Sequence, residues 1–326
     1  MFRALGLFWG IYMFFFAVPF PMILYYNIKS ESDIAGLADQ NPWLALGILA
    51  LSLVLWGIVL TGFFRTWVLS SFIAKRNVDR LLKHGIEREA KILSAEKVSK
   101  EGATYSTYHL SLSFKNLVNT EIVQKTAVND ARPHEHRFEA GKRVNILIDG
   151  DMKSIPYLIF SGSEAGIHIP IISLIILGWL AVAAVVAGYY VFSYTLESYG
   201  MGWRFIGFLH PLTLCPLILL GYRLLGKLLS NFTGEPEDVA LIKFKGVRTN
   251  AKLLSANQTG TYINEQPMVR FELEFTDERQ QKHKTSLKKI VDLLHLDITR
   301  QETIDIFYLK NNPQQVAFAR DLEDIS

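Results

Sequence analysis

The segment Pro133-His134-Glu135-His136 brings potential metal ligands close together in the sequence. On a β-strand, side chains two residues apart point to the same side, so His134 and His136 could meet at one metal ion. A zinc site, however, generally needs three or four ligands at organised spacings, and no partner cluster is evident. We therefore interpret this segment as an exposed polar loop and predict neither a metal site nor a bound cofactor.

Sequence motifs of the common catalytic sites are absent. The chain has no glycine-rich phosphate loop, no Gly-x-Ser-x-Gly, no His-Glu-x-x-His and no Cys-x-x-Cys. Its one cysteine, Cys215, lies in an apolar run and cannot form an internal disulfide. We interpret Cys215 as a small packing residue, and we expect a protein that is not an enzyme and has no catalytic residues.

His210 is the ionisable residue with the strongest claim to a role, because it lies inside an apolar stretch. An ionisable group in a membrane span is a functional candidate by default. Its place just before Pro211, near the predicted outer end of the span, would also let the ring reach the interface. A role in transport and an interfacial position are therefore both open.

A basic run in the second half of the chain is the other candidate. It could approach anionic lipid headgroups, to which each basic residue adds about 1 kcal/mol near the surface. A solvated charged face is the alternative, and the sequence favours neither. The candidate residues are Lys282, Lys284, Lys288 and Lys289.

Four apolar stretches must position these residues. A helix needs about 20 apolar residues to cross the hydrocarbon core of a bilayer, and none of the four stretches contains Asp, Glu, Lys or Arg. We predict four transmembrane helices, arranged as two hairpins. The stretches are 5–26, 43–64, 167–194 and 205–222.

The distribution of basic residues predicts the orientation of the chain. Positive charge beside short loops stays in the cytoplasm, and the connections between spans are poor in it, with Lys29 set against Glu31 and Asp33 in the first. Basic residues instead follow the second and fourth spans. We therefore predict an integral protein of the bacterial inner membrane with both termini and both large polar regions in the cytoplasm.

An internal duplication relates the two halves of the chain. The segment Gly85–Ala95 is similar to Gly246–Ala256, which lies 161 residues further on, and the same shift superposes the predicted spans. Each half holds an even number of spans, so the copies have the same orientation. We expect parallel repeats around a pseudo-two-fold axis along the membrane normal.

The two polar regions are predicted to form small β-modules. Alternation of apolar and polar residues, as in Tyr108–Phe114 and Val269–Phe275, predicts about five short strands in each. Such modules suggest barrels of the OB or SH3 type, which close their own edges. The fold class is thus an α+β membrane protein with two all-β cytoplasmic modules. The predicted segments are hairpin 1–64, amphipathic linker 65–82, β-module 83–162, hairpin 166–226, linker 227–245 and β-module 246–320.

Each module resembles the bacterial domain of unknown function family 3592. The resemblance rests on the glycine-led first strand and on Tyr108–Phe114, with Met268–Phe275 as its partner, and on Gly141–Ile148. The second copy departs from the pattern at Arg300-Gln301-Glu302. The resemblance implies small β-domains flanked by membrane helices and brings no activity with it.

Together these features predict a non-enzymatic membrane scaffold. A net charge of +3, from 34 basic and 31 acidic residues, gives no reason to expect nucleic acid as a partner. We expect the lipid bilayer and a partner protein at the cytoplasmic face, and a protective, immunity-like role belongs to this class. The alternative is a component of a membrane transporter or channel. The sequence leaves open whether copies of the chain associate.

Overall fold

A computed structural model describes residues 2–28, 36, 39–99, 105–130, 132–164, 166–233, 237–263 and 266–323 of the chain. The chain divides into two compact units. The helical unit consists of Met1–Lys75 and Gly166–Gly234, and the β-unit consists of Arg76–Ala165 and Glu235–Ser326. The predicted α+β class is confirmed. The charged residues Lys29, Glu31 and Asp33 of the predicted first connection lie outside the described residues.

Four helical segments are long and apolar enough to cross a membrane: Phe8–Ile28, Pro42–His84, Ile169–Glu197 and Pro211–Leu228. They are built from six α-helices, which are α1 (Phe2–Ala17), α2 (Pro19–Ile28), α3 (Pro42–Phe64), α4 (Ser70–His84), α5 (Ile169–Phe192) and α6 (Pro211–Thr233). The outward face of α5 exposes large apolar side chains such as Leu174, Leu177 and Val185. A surface of this kind is not stable in water, and it is typical of a helix that faces lipid.

The second segment does not end where the second predicted span ends. A π-helical turn, Arg65–Leu69, joins α3 to α4 without a break, and the whole segment of 43 residues is about 65 Å long. This is roughly twice the hydrocarbon thickness of a bilayer. The predicted linker 65–82 is therefore a helical continuation of the apolar segment.

The predicted limits of the third and fourth spans are wrong at the connection between them. The third segment continues through a π-helical turn, Ser193–Glu197, beyond its predicted end. Residues Gly202–Phe205 form a separate 3-10 turn, and α6 begins only at Pro211. Proline fixes φ at a helical value and lacks the N–H that a first turn leaves unbonded, so Pro211 suits a helix start.

The β-unit contains two antiparallel five-stranded sheets with the same strand order. The first is ordered β3-β2-β1-β4-β5, and the second, read from its other edge, is ordered β8-β7-β6-β9-β10. The strands of the first are β1 (Ile86–Lys97), β2 (Ser106–Lys115), β3 (Glu121–Asp130), β4 (Arg143–Ile148) and β5 (Leu158–Phe160). Those of the second are β6 (Gly246–Ile263), β7 (Gln266–Thr276), β8 (Lys282–Ile290), β9 (Thr303–Leu309) and β10 (Asn312–Phe318).

The register of the central hairpins repeats at the spacing of 161 residues. Ile92 lies opposite Leu112, and Leu253 lies opposite Leu273. The regular pairing shifts directly after Ile92 in the first sheet and directly after Leu253 in the second. A β-bulge bends a strand and changes its twist, so both sheets bend at equivalent positions.

The glycine that starts each first strand is required by a close approach of backbones. A Cβ atom on Gly85 would lie 2.5 Å from the carbonyl oxygen of Leu81, and one on Gly246 would lie 2.2 Å from that of Ile242. No side chain fits at such distances. This contact accounts for the glycine in the repeated sequence, since the chain turns there from a helix directly into a strand.

The two sheets differ in how far they close. In the second, the Thr285 hydroxyl on β8 donates a hydrogen bond to the carbonyl of Gln314 on β10 at 3.0 Å. No strand pairing joins the two edge strands of either sheet among the described residues, so the second sheet is closed at this point by a side-chain hydrogen bond. Pro156 has no N–H to donate, and β5 spans only three residues. The prediction of self-closing barrels is therefore only partly right, since the first module is a half-barrel.

Residues from the second half of the chain complete the hydrophobic core of the first module, while the second sheet has a core of its own. The helix α7 (Glu237–Lys245) precedes β6, and its residues Ile242 and Phe244 are buried among side chains of the first sheet. Leu322 in the short helix α8 (Ala319–Glu323) joins the same core. The predicted linker 227–245 thus ends in a helix that the first module needs for its packing, while its predicted break at residues 234–236 lies outside the described residues.

Asn116 links the modules by hydrogen bonds at the edge of this core. Its side-chain nitrogen donates to the carbonyls of Lys243 and Gly246, at 3.1 and 2.8 Å. Its side-chain oxygen accepts from the N–H groups of Val118 and Thr120. The residue is fully buried, so its four hydrogen bonds to backbone groups are made away from water.

We expect Asn116→Ala to lower the free energy of unfolding of the β-unit by about 3–5 kcal/mol, because buried polar groups are left without partners. Hydrogen–deuterium exchange of the strand amides measures this loss separately from the helical unit. The control is Asn145→Ala, which removes an exposed hydrogen bond to Glu87 and should cost less than about 1 kcal/mol. Equal losses in the two variants would contradict the assigned role of Asn116.

Candidate functional site

A glutamate and a histidine are buried side by side at one end of the helical unit. The Nε2 atom of His210 lies 2.9 Å from the Oε2 atom of Glu197, and the two side chains are 1% and 7% exposed. Glu197 is the last residue of the π-helical turn after α5, and His210 directly precedes α6. Ionisable groups buried in an apolar helical unit are costly, so they generally mark a function or a structural constraint.

The connection between the two residues lets them meet. Tyr199, Gly200 and Gly202 all have positive φ, between 47° and 82°. This left-handed conformation lets the chain reverse within a few residues. Thr213 and Leu214 donate their N–H groups to the carbonyl of His210, which holds the backbone of His210 against the first turn of α6.

A backbone contact defines the tautomer of His210. The N–H of Leu212 donates to Nδ1 of the ring at 3.2 Å, so Nδ1 carries no proton. The neutral ring must then hold its proton on Nε2 and donate it to Glu197. The pair therefore exists as a carboxylate beside a neutral imidazole, and a second proton on the ring would break the bond to Leu212.

Aromatic rings enclose the pair. The ring centroids of Tyr25, Phe205 and Tyr189 lie 4.9, 5.4 and 6.0 Å from that of His210. The hydroxyls of Tyr26 and Tyr189 are 3.0 Å apart, and Tyr26 also lies beside Glu197. These rings exclude water from the imidazole while they place hydroxyl groups close to the carboxylate.

Three polar atoms in this region have no hydrogen bond of good geometry to any described residue: Oε1 of Glu197, Oγ of Ser193 and Oγ1 of Thr213. Ser193 lies one helical turn from Glu197 and beside it. Buried polar groups are normally paired, so the site has capacity for a water molecule, a cation or a proton. A carboxylate next to a histidine is suited to accept and release a proton.

The ring of His210 is buried within the helical unit, and its position relative to the membrane interface stays a prediction. Glu197 is the functional residue that sequence reasoning missed, since it was assigned to an outer connection. The signal that could have revealed it is a single carboxylate in a short connection that is otherwise apolar and aromatic. Such a residue has few solvated neighbours and requires a buried partner.

The four candidate lysines do not form one surface. They lie on β8, where alternation places Lys282, Lys284 and Lys288 on the exposed face and turns Lys289 to the other side. Lys289 forms an ion pair with Asp321. Lys284 lies 3.7 Å from Glu274 on the neighbouring strand. Part of the predicted basic patch is thus neutralised within the β-unit.

The segment around His134 and His136 is a polar loop. Pro133–Glu135 forms a 3-10 turn, His136 pairs with Glu139 at 2.8 Å, and no cluster of three metal ligands occurs among the described residues. The buried Asp130 anchors the loop. Burial alone would raise the pKa of Asp130, but the N–H of Arg132 and the guanidinium of Arg137 more than offset it, so the pKa lies below its ordinary value.

A cavity of about 860 Å³ opens where the first sheet fails to close. It is lined by residues 124–127 of the edge strand β3, by neighbouring residues of β1 and β2 and by residues 155–158. Phe244 and Leu110 supply apolar walls. The cavity combines an edge strand with apolar walls, which suits an extended peptide segment.

Comparison with known proteins adds no identification. No protein-family model, no curated protein and no solved structure matches the chain.

We expect the buried pair to behave as one energetic unit. His210→Leu leaves a buried carboxylate without its donor and should lower the free energy of unfolding of the helical unit by about 3–5 kcal/mol. Glu197→Leu should also destabilise the unit. The double variant should lose much less than the sum of the two losses, because two apolar side chains need no partner.

Tryptophan fluorescence measures these losses, since all six tryptophans lie in the helical unit. The exposed His134 provides the control, and His134→Leu should change little. If the loss of stability in the double variant equals the sum of the losses in Glu197→Leu and His210→Leu within about 0.5 kcal/mol, the two side chains do not interact.

Proposed function

We propose that the protein is a non-enzymatic integral protein of the bacterial inner membrane whose cytoplasmic β-unit binds an extended segment of a partner protein. Four long apolar helices support insertion in the bilayer, and the basic residues after the second and fourth spans support cytoplasmic termini. We further propose that the halves arose by duplication and that each module is related to the bacterial domain of unknown function family 3592.

The single observation that carries this proposal is the open edge of the first sheet. Among the described strands, β3 pairs with β2 alone, and its residues 124–127 line the cavity together with residues of β1 and β2. An incoming strand would gain main-chain hydrogen bonds from the edge and place alternate side chains in the cavity. In the second module the two edge strands lie close together, since Thr285 on β8 donates a hydrogen bond to Gln314 on β10.

The lining of the cavity favours a partner segment with apolar side chains. Tyr157, Leu158 and Phe244 line this space and would cover such side chains. Strand addition thus provides affinity, and these apolar walls provide selectivity.

Site-specific photo-cross-linking in cells tests this proposal. A photoreactive amino acid at Ala127, which is exposed on β3 and lines the cavity, should capture one protein reproducibly. The matched control is Lys288 on β8, 161 residues further on and also exposed, which should not capture that protein. No captured protein at position 127, or the same captured proteins at both positions, would contradict partner binding at this edge.

The buried pair of Glu197 and His210 favours a second candidate function, a component of membrane transport. A carboxylate and an imidazole within an apolar unit, beside the hydroxyls of Tyr26 and Ser193, are the parts of a proton relay. In this role Glu197 would bind the proton, and His210 would hold the carboxylate by a hydrogen bond.

Proton uptake by proteoliposomes tests this second function. With a potassium diffusion potential as driving force and an entrapped pH-sensitive dye, the wild-type protein should acidify the lumen faster than protein-free vesicles. Glu197→Gln should abolish the difference, and His134→Gln should preserve it. Equal rates with and without the wild-type protein would exclude proton movement through this site.

A further inference from the structure

Two arginines share one groove in the helical unit, at the opposite end of α3 from Asn41. Arg65 is the first residue of the π-helical turn after α3, and Arg223 belongs to α6. The groove has a volume of about 330 Å³. Its remaining lining residues are Val54, Gly57, Ile58, Thr61 and Gly62.

Gly62 makes room for one of the two guanidinium groups. A Cβ atom at this position would lie 2.6 Å from Nη1 of Arg223, so the guanidinium rests directly on the glycine backbone. Apart from this nitrogen, no neighbouring atom would lie within 3.5 Å of the added Cβ. The absence of a side chain at Gly62 therefore lets the Arg223 guanidinium lie here, and an added Cβ would shift the end of this flexible side chain.

The charge in the groove is not balanced by the chain. No acidic side chain lines it, and neither guanidinium forms an ion pair with any residue in the described part of the chain. Two like charges in one small groove repel each other, which an anion between them would offset. Guanidinium groups present planar pairs of N–H donors that match the oxygen atoms of a phosphate.

The walls of the groove indicate what the phosphate is attached to. Val54 and Ile58 lie on α3 at positions that continue from the arginines along the apolar surface of the helix. Acyl chains would cover these side chains, while a free phosphate would not. The site thus has a charged end and an apolar end, in the order found in a phospholipid.

We propose that Arg65 and Arg223 bind the phosphate of an anionic phospholipid, with its acyl chains against Val54 and Ile58. This inference rests on the insertion in the membrane proposed above, but on neither the partner segment nor proton movement. It differs from the general preference of basic residues for the cytoplasmic side, because it assigns the headgroup to one groove and requires a glycine at position 62.

Retention of lipid by the purified full-length chain tests the proposal. The protein in detergent is titrated with phosphatidylglycerol or phosphatidylcholine, and native mass spectrometry counts the lipids that stay bound. The wild-type protein should retain phosphatidylglycerol in preference to phosphatidylcholine. Gly62→Ala displaces the Arg223 guanidinium without a change of charge, and we expect about tenfold weaker retention, as for the loss of one charge-assisted hydrogen bond.

The matched control is Gly47→Ala on the same helix, where an added Cβ meets nothing within 4 Å; it should retain lipid as the wild-type protein does. Equal retention by Gly62→Ala and Gly47→Ala would overturn the proposal. If Gly62→Ala fails to fold, Arg223→Gln replaces it, with the same expected loss. Displacement of phosphatidylglycerol by millimolar inorganic phosphate would overturn the lipid assignment in favour of a simple anion site.

Membrane fractionation of the same variants separates this proposal from the one on which it rests. Recovery of the wild-type chain in the soluble fraction would refute membrane insertion itself. Recovery in the membrane fraction, without a preference for phosphatidylglycerol, would refute only the lipid site.

Discussion

The burial of α7 against the first sheet is the constraint on which the β-unit depends. Ile242 and Phe244 precede the second module in the chain, yet they complete the core of the first. Full burial of such side chains stabilises a fold by about 1.5–3 kcal/mol each. The first module therefore lacks part of its core until residues beyond 237 are present, and the two modules are expected to unfold together.

The helical unit depends on a different kind of interaction. Burial of apolar surface does not distinguish one apolar helix from another in a lipid environment, so polar contacts must select the neighbours. The indole N–H of Trp56 donates to the carbonyl of Leu212, and that of Trp179 donates to Leu60. Glu197 and His210 extend this set, and the hydroxyls of Tyr26 and Ser193 lie beside the same carboxylate.

Much of the fold could be predicted from sequence, because its signals are local. Length and hydropathy identify the four apolar segments, and alternation identifies strands such as Tyr108–Phe114. What could not be predicted depends on contacts between distant residues. Glu197 meets His210 only because glycines with positive φ reverse the chain between them. Likewise, hydropathy shows that α7 has apolar residues but does not show which sheet they cover.

Gly62 and Arg223 are also related by the spacing of 161 residues, so under the proposed duplication they are equivalent positions. They lie against each other, as equivalent positions do beside a two-fold axis. Two arginines there would compete for the same space, and two glycines would leave a gap. The size difference at this one position therefore makes the two halves complementary.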